Sequence, residues 1–513
     1  MQCGPAEYWI VLDVLVVGGG INGAGIARDA AGRGLRVALC EQHDLAQHTS
    51  SASSKLVHGG LRYLQQGHLS LVRQALAERA ILLRTAPHLV TPLPFLIPHE
   101  PTLRPAWMLR AGLWLYDQLG SGRTALPRHR CLRLDQHAVG EGLRDRNRIG
   151  FTYCDAKVHD ARLVLANIID AHALGAQVWT RTRCVFADRR QRHWDVTLED
   201  SIGRWHRVQT RAMVNATGPW AAAFADDLDL AAAPPLRLVQ GSHIVVPALF
   251  THDHALLLQQ PDGRVVFAIP YEDRFTLVGT TDVDYSGDPA QVIIDDAQRA
   301  YLCDAINRSV VRRVSPPDIV HAFSGVRPLL ASSARQPSAA GRGYRLQLDL
   351  ESAPLLTVAG GKLTTYRLLA ERAVDLLLGN EAGRRPGWTR DGRPLPGGER
   401  GPPPAVAAWL QEAWPWLPAP LVQRWAGSQG SRAAHIIGQA RSLEALGEHF
   451  GGHLYAAEVR YLRDHEWALH ADDVLWRRTQ LGLLLDDAQQ ARLAAWLQQH
   501  PPTALPTPGD GDD

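Results

Sequence analysis

Apolar runs of strand length alternate with helically spaced segments along this chain, and their order sets the fold class. Residues 12–17 form an apolar run broken only by Asp13, after which the glycine turn Gly18-Gly19-Gly20-Ile21-Asn22-Gly23 opens a helix-compatible stretch. A second strand over residues 35–40 ends on Glu41. Residues 69–85 carry Leu71, Val72, Ala75, Leu76, Ala80 and Leu83 at helical spacing and stop before Pro87. The same spacing over 158–174 ends at Gly175, and strands are predicted at 177–187 and 212–218, the second closing in Thr-Gly. From about residue 235 to 322 the period shortens to strands such as 243–247, 264–269 and 275–279, an antiparallel sheet. Gly360-Gly361 reads as a further glycine turn opening a helix. Residues 405–499 return to helical spacing, rich in Ala, Leu and Trp.

The glycine turn carries the first chemistry. Gly18 permits a tight turn, Gly20 lets backbone N–H groups approach a pyrophosphate, and Gly23 lets the helix lie close to the strand, with Asn22 between them. Glu41 stands at the usual distance for a carboxylate that accepts hydrogen bonds from ribose hydroxyls. A bare glycine fingerprint is weak in a chain with 45 glycines, but its strand context and Glu41 point to a dinucleotide. Residues 49–63 choose among dinucleotides. Thr49, Ser50, Ser51, Ser53, Ser54, Lys55, Leu56, His58, Gly59 and Gly60 are too small and polar for a core, and suit a chain pressed against a flavin. A solvated linker would not need His58-Gly59-Gly60 or the Leu61-Arg62-Tyr63 that follows.

Together with the turn GGGINGAG, this segment closely resembles the FAD-dependent, respiratory glycerol-3-phosphate dehydrogenases. Four later stretches agree: GSHIVVP from Gly241, GTTDV from Gly279, SGVRPL from Ser324 and GGKLTTYR from Gly360. The likeness runs from about residue 13 to near 497. It implies an α/β fold: a Rossmann-like FAD-binding domain of the D-amino-acid-oxidase type, an antiparallel-sheet substrate domain and a C-terminal helical domain. The expected division is an extension at 1–11, an oxidoreductase domain at 12–383, a Pro/Gly/Arg-rich linker at 384–404, a helical domain at 405–500 and a disordered tail at 501–513. Within the second unit, 12–90, 150–220 and 323–383 hold FAD, while 91–149 and 235–322 form the substrate cap. Backbone near Val185 and Gly218, with Gly361, Lys362, Leu363 and Thr364, completes the expected cofactor contacts.

The implied reaction is oxidation of sn-glycerol 3-phosphate to dihydroxyacetone phosphate, with electrons passing through noncovalent FAD to a membrane quinone. Oxidising a secondary alcohol needs a hydride acceptor, a base and donors for developing negative charge. Arg62 and Arg327 are the leading phosphate anchors, since a guanidinium donates bidentately; an ordinary surface role is the rival for any one of 51 arginines. Tyr63 is an auxiliary donor and Thr281 a further substrate contact. Lys362 is expected to place positive charge beside the flavin, and His58 to orient the flavin loop. His243 is the base candidate because imidazole titrates near neutrality, with Asp282 its rival and a satisfied strand histidine the plain alternative.

Composition narrows the partners. A formal net charge of +2 over 513 residues gives no case for nucleic acid, and the six cysteines show no metal-ligand or CxxC spacing, which fits a reducing compartment. Of 54 basic residues only Lys55, Lys157 and Lys362 are lysines, and two of them fall inside motifs. No secretory signal and no run of eighteen apolar residues is read. Residues 103–119 instead form an amphipathic segment in which Trp107, Trp114 and Tyr116 suit a headgroup boundary, with a buried helix as the alternative. The family attaches peripherally to the inner face of the cytoplasmic membrane, and a homodimer is left open. Rival functions are a glycerol-3-phosphate oxidase that uses oxygen, an amine or amino-acid oxidase, and a flavin-binding scaffold working through its helical domain.

Overall fold

The computed structural model describes residues 10–65, 67–122, 126–146, 148–331 and 343–502, without the side chains of Arg62 and Gln65. The expected N-terminal extension and C-terminal tail therefore lie almost wholly outside the described residues. Ile10–Val17 sits inside an eight-stranded sheet, flanked in parallel by Val37–Glu41 and by Trp205–Asn215. Leu355–Gly360 runs parallel to the far side of that last strand. The carboxyl ends of these strands open toward one cavity, where open α/β sheets take their ligands. Helix Ile21–Gly32 packs between Asp160–Ala173 and Tyr366–Leu378. An added Cβ at Gly25 would stand 2.8 Å from the Tyr366 ring, so the small residue sets the closeness of that packing.

The strand predicted over 177–187 is two strands. Gln177–Thr180 pairs in parallel with Val37–Glu41, then Arg181, at φ 52°, turns the chain into Thr182–Arg189, which pairs antiparallel with Trp194–Asp200. Two different partners impose the break. A second, ten-stranded sheet forms the roof. Its longest member, Leu236–Pro247, starts earlier than the predicted strand because it pairs along its length with His321–Leu330, and also with Phe275–Gly279.

Beyond residue 400 the described residues form five α-helices and a small hairpin around Trp425, Phe450 and Leu410, all fully buried. The Pro/Gly/Arg-rich residues 384–404 are docked, not free. Buried Arg33 donates to the Arg385 carbonyl (3.1 Å), the Thr389 N–H donates to Asp29 (3.3 Å), and Leu395 is fully buried.

The seam between the helical unit and the nucleotide layer is sensitive to acid. His88 packs there against Gly397 and Gly430; burial and then the nearby Arg162 push its pKa down to about 3, and burial, then Lys55 and Arg162, hold the adjoining His159 well below the ordinary value. An unfolded histidine takes up its proton near pH 6.5, so from there downward the unfolded chain binds protons that the folded chain refuses. Stability is therefore expected to fall with pH below 6.5, by about 1.4 kcal/mol per pH unit for each such histidine. Thermal melts between pH 7 and 5 check this; His88→Gln should make the decline shallower by one proton.

Candidate active site

A cavity of about 530 Å³ runs from the carboxyl edge of the nucleotide sheet to the underside of the roof. At one end Glu41 leaves its strand with both oxygens engaged: Oε2 accepts from the Gly19 N–H at 2.7 Å and Oε1 from the His43 N–H at 2.8 Å. Burial pushes this carboxyl upward against those two donors. Gln42, Ala46, Gln47 and His48 continue the wall, faced by Thr182 to Val185 and by Trp220. In the middle, the N-terminus of helix Ile21–Gly32 meets the cavity, where Gly20, Ile21 and Asn22 line the wall and the Ile21 N–H donates to Ser50 Oγ at 3.0 Å; a helix start is the end that favours an anion. Gly18 holds φ 113°, and an added Cβ there would stand 2.6 Å from the Ala216 carbonyl. The Asn22 amide N–H donates to the Gly360 carbonyl at 3.1 Å and joins the two glycine turns, while its Oδ1 is buried without a hydrogen bond.

These features fit FAD. A carboxylate stands where ribose hydroxyls would donate, a helix N-terminus opened by a glycine turn where a pyrophosphate would lie, and a small-residue loop beside the far end. Asn22 Oδ1 is a buried acceptor awaiting a donor. Of the cofactor residues expected from sequence, Gly18, Gly20, Asn22, Glu41, Thr49, Ser50, Ser53, Ser54, Leu56, His58, Val185, Gly218, Gly361, Lys362, Leu363 and Thr364 all line this cavity.

The others stand behind it. Gly23 packs on the Gly18 carbonyl, with 2.0 Å left for a Cβ, and Gly59 packs on Tyr116. Gly60 lies under the Tyr63 ring, and the Ser51 hydroxyl turns back to the His48 carbonyl at 3.2 Å. Lys55 corrects its expected role as a cofactor contact. At φ 56° its ammonium points into the protein, 2.7 Å from buried Asp160 and 3.1 Å from the Ser51 carbonyl, so it struts the loop from beneath.

Arg327, Lys362 and Tyr63 also line the cavity. The Arg327 guanidinium donates to Asp282 Oδ1 and to Thr280 Oγ1, both at 2.6 Å, and its side chain is 21 % exposed to the cavity. Lys362 Nζ sits 3.9 Å from the centre of the Tyr63 ring. The side chain of Arg62 lies outside the described residues. Asp282 is not on the cavity wall; it is the counter-ion that fixes Arg327.

Thr281 needs correction, and His243 stands one side chain back from the cavity. Thr281, expected on the substrate, is buried: its Oγ1 accepts from the Ser242 N–H at 2.9 Å and donates to Gln298 at 3.1 Å. Its neighbour Thr280 lines the cavity instead, as does Phe267. Sequence reading missed both; for Phe267 the alternation of its strand Val265–Tyr271 was the available signal, while Thr280 lies in the connection after Gly279. His243 is 1 % exposed, stacked on Phe323, and behind the wall. Its Nε2 lies 2.9 Å from Ser54 Oγ, which does line the cavity. Burial, then Arg327 and Lys55, hold the imidazole well below its ordinary pKa, so it is neutral.

The chain matches the family model of FAD dependent oxidoreductases over residues 13–367. Residues 389–498 match that of the C-terminal domain of alpha-glycerophosphate oxidase. A glycerol-3-phosphate dehydrogenase of Pseudomonas aeruginosa is 53% identical over 496 residues, 96% of each chain. The aerobic glycerol-3-phosphate dehydrogenase of Escherichia coli is 48% identical, over 95% of this chain and 97% of that one. Among solved structures, the FAD complex of a glycerol-3-phosphate dehydrogenase from Bacillus halodurans superposes with a TM-score of 0.74 at 27% identity, covering 95% of this chain and 94% of its own.

Proposed function

Since this chain belongs to the FAD-dependent oxidoreductases and, over almost all its length, resembles their glycerol-3-phosphate dehydrogenases, we infer that it oxidises glycerol 3-phosphate to dihydroxyacetone phosphate with FAD. The observation that carries this reading is that two cations, Arg327 and Lys362, line the same cavity as Glu41 and the glycine turn, with Lys362 Nζ held 3.9 Å from the Tyr63 ring centre. FAD, when bound, supplies the hydride acceptor. Arg327, held in plane by Asp282 and Thr280, offers a fork that suits the substrate phosphate. Lys362 supplies the positive charge at the flavin end, with the Tyr63 face fixing its position.

The hydroxyl proton leaves through Ser54 Oγ to His243 Nε2. A neutral imidazole is the competent form for accepting it. A base that must be unprotonated, with its pKa displaced downward, remains competent below pH 6.5. The acid limb of kcat/KM is therefore expected below that pH, and His243→Ala is expected to lower kcat about a hundredfold with FAD retained. An unchanged pH profile in that variant rules out the relay.

The electron outlet we assign to a membrane quinone, and the attachment surface to helix Ala106–Gly120. Among the described residues no helix is long and apolar enough to cross a membrane. On this helix Trp107, Met108 and Trp114 are exposed by 69, 47 and 56%. Tyr116, which the sequence pattern also offered to the headgroup boundary, is buried, as is Leu113: the Tyr116 hydroxyl accepts from the Gly59 N–H at 2.8 Å and donates to Asp155 at 2.7 Å. Trp107→Ser with Trp114→Ser should lower co-sedimentation with anionic vesicles about tenfold while leaving the colour intact. Equal sedimentation would remove the assignment.

The test of the whole reading is anaerobic. Glycerol 3-phosphate should bleach the flavin band near about 450 nm, and a quinone analogue should restore it. Restoration by oxygen at an equal rate would make the protein an oxidase, and no bleaching would end the reading.

A further inference from the structure

One short stretch of the C-terminal domain touches both walls of the Glu41 end of the cavity. In the turn Asp473–Arg478, Arg477 Nε donates to Asp44 Oδ2 at 2.5 Å. Arg478 grips both oxygens of the same carboxylate, with Nη2 at 2.8 Å from Oδ1. Asp44 is 1 % exposed and Arg478 not at all. Asp44 lies in the loop whose Gln42, Ala46, Gln47 and His48 wall the cavity beside Glu41. Asp473, in the same turn, accepts from Arg181 Nη2 at 2.6 Å. Arg181 opens the strand whose Thr182 to Val185 form the opposite wall, and its N–H donates to the His43 carbonyl at 3.0 Å. Arg477 Nη2 bonds Asp473 in turn, at 2.5 Å, so the two grips share one network.

We propose that the C-terminal domain is a working part of the cofactor site: Asp473, Arg477 and Arg478 clamp the two walls of the adenosine end and thereby position the loop after Glu41. The proposal rests on the FAD reading above. Its physical basis is that buried fork-shaped donors hold a carboxylate in one geometry, and that a preorganised subsite binds more tightly than one ordered by its ligand. The three acceptor and donor partners are positioning residues, since none of them lines the cavity. The same domain reaches the roof at separate points. The Trp476 ring stacks on His321 with centroids 4.0 Å apart, and the Tyr271 hydroxyl donates to Gln480 at 2.6 Å. The Tyr271–Gln480 contact, outside the clamp stretch, serves as the control for domain docking in general.

The experiment follows release of FAD from the diluted holoenzyme, alone and against adenosine diphosphate as competitor for the adenosine end. Arg478→Lys keeps the charge and loses the fork; Arg181→Gln breaks the second grip at its more accessible rim. Both should raise the FAD dissociation constant about tenfold, as loss of one charge-assisted hydrogen bond does, and weaken competition by adenosine diphosphate equally. With FAD saturating, KM for glycerol 3-phosphate should stay within about twofold of the parent, because the substrate end is untouched. Tyr271→Phe should move none of these values. The clamp is overturned if release and competition are unchanged in the two clamp variants, if Tyr271→Phe shifts them as much, or if KM moves in step. Where Arg478→Lys does not fold, Arg181→Gln alone decides. A parent protein that holds no FAD would sink the functional reading, whereas a parent that holds FAD as its variants do sinks only the clamp.

Discussion

Arg327→Met is expected to lower kcat/KM for glycerol 3-phosphate about a thousandfold, with FAD still bound, because it removes two charge-assisted hydrogen bonds at once. The native guanidinium is fixed before substrate arrives by Asp282 and Thr280, each at 2.6 Å. Ordering is thus done in advance, and the substrate phosphate meets a preformed planar fork. Arg327→Lys should recover only part of the loss, since an ammonium keeps the charge but not the paired geometry. Steady-state kinetics with the flavin spectrum recorded on the same sample checks both variants. A loss confined to FAD content would move Arg327 from substrate to scaffold, and an unchanged kcat/KM would remove it from the site.

Gly23→Ala is expected to give a folded protein without colour, its FAD affinity lowered by more than about a hundredfold. A Cβ on Gly23 would stand 2.0 Å from the Gly18 carbonyl oxygen, so either the turn or the first helix must shift. Together they make the helix start that favours an anion. Gly112→Ala is the matched control: it lies in helix Ala106–Gly120, where its added Cβ meets nothing within 4 Å beyond the adjoining backbone of its own helix, and should stay yellow. A coloured Gly23→Ala protein with the parent affinity would show that the pyrophosphate does not rest on this turn.

The two variants differ in how early they can be reasoned out. Gly23 is legible in the chain itself, since a strand, three spaced glycines and a helix leave few ways for the backbone to turn. The carboxylate at Glu41 follows from the same local geometry. Arg327 is legible as a motif residue, but its partners are not: Asp282 and Thr280 come from the connection after strand Phe275–Gly279 and meet it only through pairing of the roof.

The primary sequence by itself determined the glycine turns, the parallel nucleotide layer, the change to an antiparallel roof and the helical C-terminal unit, because each is written in local spacing of apolar and small residues. Tertiary structure decided which side of each strand faces the cavity. In the connection after Gly279, Thr280 lines the site while Thr281 turns to Gln298, and His243 stands behind Ser54. It also chose the partners of buried charge. Lys55 turns to Asp160, 105 residues away, and Asp44 to Arg478, 434 residues away, because a charge taken out of water must find its opposite wherever the fold brings one. No local pattern records such distant pairs, so the inward lysine and the clamp on Asp44 were visible only in the folded chain.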